Sequence, residues 1–351
     1  MFEHIHGGDI YAPRIMHAGA RLVDFSANIN PLGLPVAVKA AISENMDAYA
    51  HYPDPFCREL RQALSCHLGV ESKHIFCANG AADAIYRLVW GLKPKRALVV
   101  APTFAEYAQA LQMMQCEIHE YALQEEHGFQ VREDILQQIT QGTEMVFFCN
   151  PNNPTGIITP KELLLNIARE CKEEGAVFVF LPHEQSYSML PHLAEFEQMV
   201  ILKAFTKLYA MAGIRLGYML CQDARILQAV QRAGQPWGVS VIASKCGVAA
   251  LGCTDYVQKT KALIQENRAY LSETLKSLGC KVYASQANFL FFHTADAALH
   301  EKLEPYGILI RDCSNYRNLG SGFFRIAVKT MPENAYLVQC MREILTGAGE
   351  K

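Results

Sequence analysis

The chain has 351 residues, half of them apolar and fewer than a fifth charged, which is typical of a soluble globular enzyme and excludes a disordered chain. A net charge of −3 argues against nucleic acid as a partner, because phosphate backbones are bound by clustered Lys and Arg. The longest apolar runs are strand-sized, far short of the roughly 20 residues that a membrane helix needs, so no membrane span is expected.

The N-terminus and the cysteines both favour a cytoplasmic location. Residues 1–6 contain no basic region followed by an apolar block, which argues against a secretory signal. The twelve cysteines are scattered through apolar segments, and no pair has the Cys-x-x-Cys spacing of a metal or redox site. We therefore expect reduced, mostly buried thiols in the cytoplasm and no bound metal.

Residues 1–35 have turn signals and little periodicity, and we expect an extended arm that lies over a cleft or across a partner. From residue 36 to residue 253, helical stretches alternate with short apolar strands. This alternation predicts an α/β domain with a largely parallel sheet that is covered on both faces. The predicted strands are 75–77, 97–100, 145–149, 176–181, 199–203 and 216–220.

The pattern changes at about residue 254. A long charged helix over 256–279 is followed by alternating strands at 288–293 and 322–328, which predicts a smaller α+β domain over 254–351. In open parallel sheets, ligands bind at the carboxyl ends of the strands. The chemistry is therefore expected in the segments that directly follow the strands of the first domain.

The strongest candidate for chemistry is Lys207, which comes shortly after the predicted strand at 199–203. A lysine held in a dry pocket near cations has its ammonium form disfavoured and keeps a free amine that can attack an aldehyde. Arg215 adds a fixed positive charge for a phosphate. A single lysine is usually a solvated surface residue. The whole spacing, with Gly213 and Gly217 around Arg215, favours the catalytic interpretation.

Three other strand ends carry suitable side chains. Residues 150–156 read Asn-Pro-Asn-Asn-Pro-Thr-Gly, which turn chemistry alone could explain, but an amide there can also hold a phenolic oxygen of a cofactor. Gly80 and Ala81 open a helix, where backbone N–H groups and the helix dipole can meet a phosphate. Phe104 can stack on a pyridine ring, although a buried core Phe is the commoner assignment.

The Asn-Asn-Pro-Thr-Gly run at 152–156, the Thr206-Lys207 segment and Arg325 together resemble the class I and II aminotransferases, and most of all histidinol-phosphate aminotransferase. The segments 6–10 and 24–33 look like those of the threonine-phosphate decarboxylases of cobalamin biosynthesis, as do 235–237, 310–313 and 324–327. The resemblance covers nearly the entire chain. It implies the α/β fold type I of pyridoxal-phosphate-dependent transferases, with a mostly parallel sheet of the seven-stranded type and a smaller α+β domain.

The resemblance also implies residue roles. Lys207 would form the Schiff base with pyridoxal 5′-phosphate, Asn153 would bind its phenolic oxygen, and Phe104 would stack on its ring. Its phosphate would be approached by Gly80, Ala81, Thr206 and Arg215 and, from the neighbouring subunit of a homodimer with shared active sites, by Tyr52. The small phosphorylated amino-acid substrate would be held by His6, Gly7, Asn28, Asn153, Arg311 and Arg325. Two arginines suit a substrate with a carboxylate and a phosphate, since guanidinium groups pair with both anions bidentately.

One family feature is missing from the sequence. Family members carry an Asp-Glu-Ala-Tyr-like segment whose Asp pairs with the protonated pyridine nitrogen and makes the ring an electron sink. No Asp occurs between Gly156 and Lys207. Either Glu184 replaces it, or a short deletion has removed the Asp with its neighbours. We favour the deletion, because residues 182–184 and 190–191 look like the loop that normally follows the motif.

Three functions are therefore weighed. The first is decarboxylation of O-phospho-L-threonine to (R)-1-aminopropan-2-yl phosphate, and the second is a histidinol-phosphate-type aminotransferase. The third is a cofactor-binding homologue that is catalytically impaired because it lacks the Asp. Positioning of the substrate alone chooses between loss of CO2 and loss of the α-proton, so sequence separates the first two poorly. We expect the decarboxylase.

Overall fold

The computed structural model describes residues 7–11, 22–182 and 189–347. The chain divides into two compact units. We call residues 1–32, 151–158 and 258–351 the small unit, and residues 33–150 and 159–257 the large unit. The predicted division into an arm, a domain over 36–253 and a domain over 254–351 stays a prediction, and the compact units group the segments differently.

The described part of the predicted arm belongs to the small unit because its backbone pairs there. Strand β1 (Val23–Asp24) lies parallel to Ile308–Leu309, and the amide of Ala327 donates to the carbonyl of Phe25 over 2.8 Å. Backbone hydrogen bonds of this kind fix the segment to the C-terminal residues of the chain.

A seven-stranded sheet forms the centre of the large unit. Its strands are β2 (Ile75–Ala78), β3 (Arg96–Ala101), β4 (Glu117–Ala122), β5 (Met145–Asn150), β6 (Val177–Pro182), β7 (Met199–Ala204) and β8 (Gly217–Leu220). The strand order is β2-β8-β7-β6-β5-β3-β4. Strand β8 runs antiparallel to both neighbours and the other pairs are parallel, so the mostly parallel sheet predicted from the sequence is confirmed.

Burial explains which strands the sequence revealed. All six residues of β5 are buried, and a strand covered on both faces appears as a continuous apolar run. Strand β4 was missed because it lies at the edge of the sheet, where none of its residues is buried. Its sequence, Glu-Ile-His-Glu-Tyr-Ala, therefore gives no apolar run to recognise.

Helices pack on this sheet, and two of them begin directly after the carboxyl ends of strands. They are α1 (Val36–Glu44), α2 (Arg58–Leu68), α3 (Gly80–Leu92), α4 (Ala105–Met113), α5 (Lys161–Glu174), α6 (Ala224–Arg232) and α7 (Val241–Leu251). A core cluster joins the sheet to α3, α4 and α6 and includes Ile85, Leu111 and Val230. Helices α3 and α4 follow strands β2 and β3 directly, and this core fixes where they start.

The small unit is an α+β arrangement, as predicted. Its antiparallel sheet has the order β12-β13-β10-β9, made of β9 (Lys281–Val282), β10 (Phe289–His293), β12 (Arg311–Asp312) and β13 (Phe323–Ala327). The strand paired with β1 is β11 (Ile308–Leu309). The helices are α8 (Thr254–Ser277), whose first residues belong to the large unit, α9 (Leu299–Leu303) and α10 (Met331–Thr346). They bury their apolar faces with β10 and β13 in a separate core.

The structure also describes the cysteines, the length of the helices and the possible metal ligands. All twelve cysteines lie in the described ranges, ten of them are buried, and none forms a disulfide there. Within those ranges, no helix is long and apolar enough to cross a membrane, and no group of three or more His, Cys, Asp or Glu side chains could hold a metal ion.

Candidate active site

An anion cradle lies at the start of α3 in the large unit. Asn79, the residue before the helix, makes no side-chain cap to it, and Gly80 has a φ of +85°. A Cβ at Gly80 would lie 2.8 Å from Nη2 of Arg215, so the guanidinium is held directly against the first turn. Backbone amides at a helix N-terminus and a guanidinium are both donors that suit a phosphate. The structure thus brings Gly80, Ala81 and Arg215 together.

Gly217 allows the cradle to form. A Cβ at this position would lie 2.6 Å from the amide nitrogen of Ala81 and 2.7 Å from the carbonyl carbon of Gly80. These are backbone atoms that cannot move aside, so only glycine lets β8 approach the start of α3 this closely. Gly213 has no such contact, since nothing lies within 4 Å of its Cβ position.

Lys207 and Thr206 lie on the loop that joins β7 to β8, on which Arg215 also lies. The loop is closed at its base by a hydrogen bond from the amide of Phe205 to the carbonyl of Leu216, 3.1 Å. Lys207 and Thr206 are both half-buried. Arg215 adopts a left-handed φ of +63°, and its Nη1 donates to the carbonyl of Ala212 over 3.2 Å. One loop therefore carries both the candidate nucleophile and the cation of the cradle.

Phe104 lies just before α4 and is half-buried. Its ring meets Tyr107 edge to face with centroids 5.7 Å apart, and Tyr107 stacks on Phe147 at 4.7 Å. Aromatic pairs of this geometry hold a ring in a fixed orientation. Phe104 is thus supported by the core without being enclosed by it, which suits a stacking role better than the core assignment.

Glu106 was missed by the sequence analysis. Burial raises the pKa of this carboxyl to about 7, while the positive charge of Lys207 acts in the opposite direction. Glu106 is therefore an acid that titrates near neutral pH within electrostatic range of the candidate nucleophile. A Glu in the first turn of a helix is commonly there for the helix dipole, so no signal in the sequence identifies this one.

Lys203 is, like Lys207, a half-buried lysine of the large unit. Lys203 lies on β7, and burial lowers its pKa. Burial, together with the charge of Lys203, also lowers the pKa of His67. Lys203 is therefore the natural comparison for any claim that Lys207 alone reacts with an aldehyde.

Arg325 is the central cation of the small unit. It lies on β13 with 6% of its surface exposed. Its Nη1 donates to Oδ1 of Asn153 over 2.5 Å and its Nη2 to the carbonyl of Ser26 over 2.7 Å. Both acceptors are neutral, and its buried Nε has no hydrogen-bond partner among the described residues. A buried charge with neutral partners and a spare donor is suited to binding an anion.

Arg311 strengthens this conclusion. It lies directly opposite Arg325 in the antiparallel pair β12–β13, so both side chains are on the same face of the sheet. Its Nη2 donates to Oδ1 of Asn315 over 2.8 Å, and its guanidinium lies 5.1 Å from the ring centre of Tyr316. Like charges placed directly opposite destabilise a sheet unless an anion compensates them. The two facing cations make this strand pair a candidate anion site.

Asn28 and Gly7 are positioned by the same segment. Asn28 is buried, its Nδ2 donates to Oδ1 of Asn288 over 2.9 Å, and Asn288 returns a bond to the carbonyl of Asn28 over 2.8 Å. A Cβ at Gly7 would lie 2.3 Å from the carbonyl oxygen of Ser26, which Arg325 also binds. The carbonyl of Ser26 thus lies between Gly7 and Arg325, and Arg325 in turn binds Asn153. Ser26 lies within the family-like segment 24–33, and its role was not predicted. His6 lies outside the described residues.

Tyr52 lies at the surface of the large unit, and 82% of its surface is exposed. Its ring stacks on Trp237 with centroids 4.8 Å apart, and Trp237 is itself 47% exposed. A stacked pair of exposed aromatic side chains is typical of a surface that contacts another molecule.

The position expected for the missing Asp lies at the end of β6. The described part of this strand ends with Phe180, Leu181 and Pro182, and none of these carries a carboxylate. Leu181 packs against the same core cluster as Phe104. Glu184 lies outside the described residues, so its replacement of the Asp and the alternative of a deletion both stay predictions.

Comparison with known proteins adds to this geometry. The family description "Aminotransferase class I and II" matches residues 20–340. A threonine-phosphate decarboxylase from Salmonella typhimurium is 37% identical, and the match covers 99% of this chain and 98% of that protein. Among solved structures, histidinol-phosphate aminotransferase from Clostridium acetobutylicum matches with a TM-score of 0.87 at 25% identity, covering 93% of this chain and 100% of its own. L-threonine-O-3-phosphate decarboxylase from Porphyromonas gingivalis matches with a TM-score of 0.79 at 25% identity, covering 92% and 99%.

The cradle can be tested with Gly80→Ala and inorganic phosphate as the probe. The new Cβ would displace Arg215, so we expect the thermal stabilisation by phosphate to be lost. Gly128→Ala is the matched control, because its φ is +61° and nothing lies within 4 Å of its Cβ position. Both variants carry the left-handed strain of about 1–2 kcal/mol, but only the first should lose the response to phosphate. An equal response in both variants would contradict the cradle.

Proposed function

Because the chain belongs to the class I and II aminotransferase family, we propose that it is a pyridoxal-phosphate-dependent lyase of cobalamin biosynthesis. Its reaction is the decarboxylation of O-phospho-L-threonine to (R)-1-aminopropan-2-yl phosphate. The observation that carries the substrate assignment is the buried Arg325 with Arg311 opposite, since this substrate has two anionic groups. The similarity to a threonine-phosphate decarboxylase along nearly the whole chain supports the same reaction.

The residues of the large unit fit the cofactor. Gly80, Ala81, Thr206 and Arg215 would hold its phosphate, Phe104 would lie against its ring, and Lys207 would bind its aldehyde carbon covalently. The support for this fit is the position of the Arg215 guanidinium. It lies against the first turn of α3 at Gly80, where there is no side chain to displace it. In the small unit, Asn153 would bind the phenolic oxygen.

The residues of the chain determine which bond breaks. When bound, pyridoxal phosphate accepts the electron pair that the α-carbon of the substrate releases with CO2. Arg325 and Arg311 would bind the carboxylate and the phosphate of the substrate, and their rigid forks would set its orientation. Arg325 is held in place by Asn153 and by the carbonyl of Ser26, so this orientation is built before the substrate arrives. Lys207 Nζ would return a proton to the α-carbon after CO2 has left.

Two other functions keep specific support. The likeness to the Clostridium acetobutylicum aminotransferase favours a transaminase on histidinol phosphate or a similar phosphorylated amine. The apolar end of β6 favours a protein that binds the cofactor but turns over slowly, because a ring nitrogen without a carboxylate is a weaker electron sink.

An assay without any oxo-acid acceptor separates the three functions. We expect catalytic release of CO2 from O-phospho-L-threonine when only the enzyme and pyridoxal phosphate are present. Turnover that requires 2-oxoglutarate would establish the transaminase instead. Cofactor binding without either reaction would establish the impaired protein.

Two arginine variants test, in the same assay, whether Arg325 binds the substrate. Arg325→Met should lower kcat/KM by at least about 30-fold, because a desolvated charge pair contributes roughly 2–5 kcal/mol. Arg225→Met is the control, since the side chain of Arg225 is 83% exposed, and its partner Asp223, which is largely buried, still accepts from the backbone amide of residue 225 in the variant. Equal rates for the two variants would remove the support for Arg325 as a substrate ligand.

The cofactor lysine can be identified by reducing the protein–cofactor complex with borohydride and mapping the modified peptide. We expect the label on Lys207, and we expect Lys207→Met to take up none. Lys203→Met is the matched control, because Lys203 is a second half-buried lysine of the large unit, and burial lowers its pKa. Label that persists in Lys207→Met but disappears in Lys203→Met would transfer the role to Lys203.

The proposal extends to assembly and location. The chain would form a homodimer with shared active sites, in which Tyr52 reaches the cofactor phosphate of the neighbouring subunit. Its exposure and its stacking on Trp237 support a contact there. The mostly buried cysteines, which form no disulfide in the described ranges, support a cytoplasmic location.

Light scattering in solution tests the homodimer. One chain has a mass of 39.2 kDa, and we expect twice this mass for the wild type. Tyr52→Phe should keep the mass of the dimer while it weakens cofactor binding. The variant retains the stacked ring and removes only the hydroxyl that would bind phosphate. A monomeric wild type would refute the shared site.

A further inference from the structure

We propose that Arg87 is a positioning residue, which together with Asp83 ties the anion cradle at the start of α3 to the loop that carries Trp237. The inference rests on the proposed function only in assigning the cradle to the cofactor phosphate. It gives a role to a largely buried ion pair that neither the sequence motifs nor the proposed contacts of cofactor and substrate account for.

Arg87 and Asp83 form an ion pair within α3. Their side chains are 8% and 27% exposed, and Nε of Arg87 donates to both carboxylate oxygens of Asp83, over 2.9 and 3.1 Å. The guanidinium also lies 5.8 Å from the ring centre of Phe76 on β2. Loss of one partner of a buried pair leaves the other charge uncompensated. The two side chains therefore act as a unit.

Asp83 connects this pair to the cradle. Its Oδ2 accepts a hydrogen bond from the backbone amide of Asn79 over 3.0 Å, and Asn79 directly precedes Gly80. Asp83 lies in the first turn of α3, where its carboxylate and a bound anion are attracted to the same positive end of the helix dipole. An uncompensated carboxylate at this position would oppose the binding of a phosphate. Arg87 supplies the compensating charge and keeps the carboxylate on the amide of Asn79.

The other side of the guanidinium holds the segment 234–238. Nη2 of Arg87 donates to the carbonyl of Gln235 over 3.2 Å. A Cβ at Gly234 would lie 2.1 Å from Nη1 of Arg87, and a Cβ at Gly238 would lie 2.9 Å from Nη2. Glycine at both positions lets the backbone come this near to the arginine. The segment is thus folded around the guanidinium, which it contacts at both ends.

Trp237 lies between these contacts. Its φ of +63° is a left-handed conformation that a bulky residue rarely adopts, and such strain persists only where the surrounding structure holds it. The hydrogen bond to Gln235 and the two glycine contacts hold this segment. The ring of Trp237 stacks on Tyr52, and both side chains are exposed. Arg87 therefore orients the stacked pair as well as the turn into the cradle, so anion binding and the position of Trp237 are coupled.

Tryptophan fluorescence can measure this coupling, because the chain has two tryptophans and Trp90→Phe leaves Trp237 as the only one. The probe is inorganic phosphate added to the cofactor-free protein, with acrylamide as the quencher. In this background we expect phosphate to protect Trp237 from quenching, and the titration gives a dissociation constant for phosphate.

Arg87→Met in the same background should release the loop and leave Asp83 uncompensated. Quenching of Trp237 without phosphate should therefore rise. The dissociation constant for phosphate should rise by at least about 5-fold, the lower end of typical coupling between linked sites. A pair that merely stabilised the fold would lower the melting temperature without changing either value.

Three further variants complete the experiment. Arg58→Met is the matched control, because Arg58 also pairs with an aspartate four residues earlier, Asp54, but its side chain is 70% exposed. Gly238→Ala is a milder test, since its Cβ would displace only the end of the Arg87 side chain, and both values should change in the same direction. Gly252→Ala is the control for that variant, because the nearest atom to its Cβ would be 3.6 Å away.

Unchanged quenching and phosphate affinity in Arg87→Met, or equal changes in Arg58→Met, would overturn the proposal. If Arg87→Met does not fold, the comparison of Gly238→Ala with Gly252→Ala decides in the same way. Quenching of Trp237 that phosphate leaves unaltered in the Trp90→Phe protein also refutes the coupling. Thermal stabilisation by phosphate tests the cradle separately, so failure of the cradle and failure of the coupling are distinguishable.

Discussion

The close approach of β8 to the start of α3 is the constraint on which the large-unit site depends. Gly217 lets two backbone segments meet at a distance that any side chain would prevent. That contact fixes the end of the loop that carries Lys207 and Arg215, and it places the guanidinium against the first turn of the helix. The geometry of the cradle is thus set by backbone contacts, which are far more rigid than contacts between long side chains.

The small unit depends on a different principle, the burial of positive charge. Arg325 is held by neutral oxygens and faces a second arginine across the strand pair. These contacts fix the guanidinium in position but do not neutralise it. Rigid donors of this kind lose little conformational entropy when a ligand arrives, and so more of the interaction energy appears as affinity and orientation.

The sequence predicted the buried and glycine-dependent parts of this architecture well. Continuous apolar runs identified β5, β6 and β7, and the Gly213-to-Gly217 spacing identified the loop of Lys207. It could not predict β4, whose polar residues lie at the sheet edge, or Ser26, which acts through its backbone carbonyl and so is independent of its side chain. Glu106 escaped notice because burial raises its pKa to about 7, and its place in the first turn of a helix does not reveal that burial. The family-like aspartate remains absent from the sequence, and β6 ends in apolar residues.

The opposed arginines of β12 and β13 set the stability of the strand pair against the proposed binding of substrate. Two facing cations repel each other across the pair, which lowers its stability. A neutral residue in place of Arg311, the more exposed of the two, is therefore expected to stabilise the strand pair while it removes one of the cations proposed to bind the substrate. Selection of variants for thermal stability alone would thus favour the loss of binding at this position.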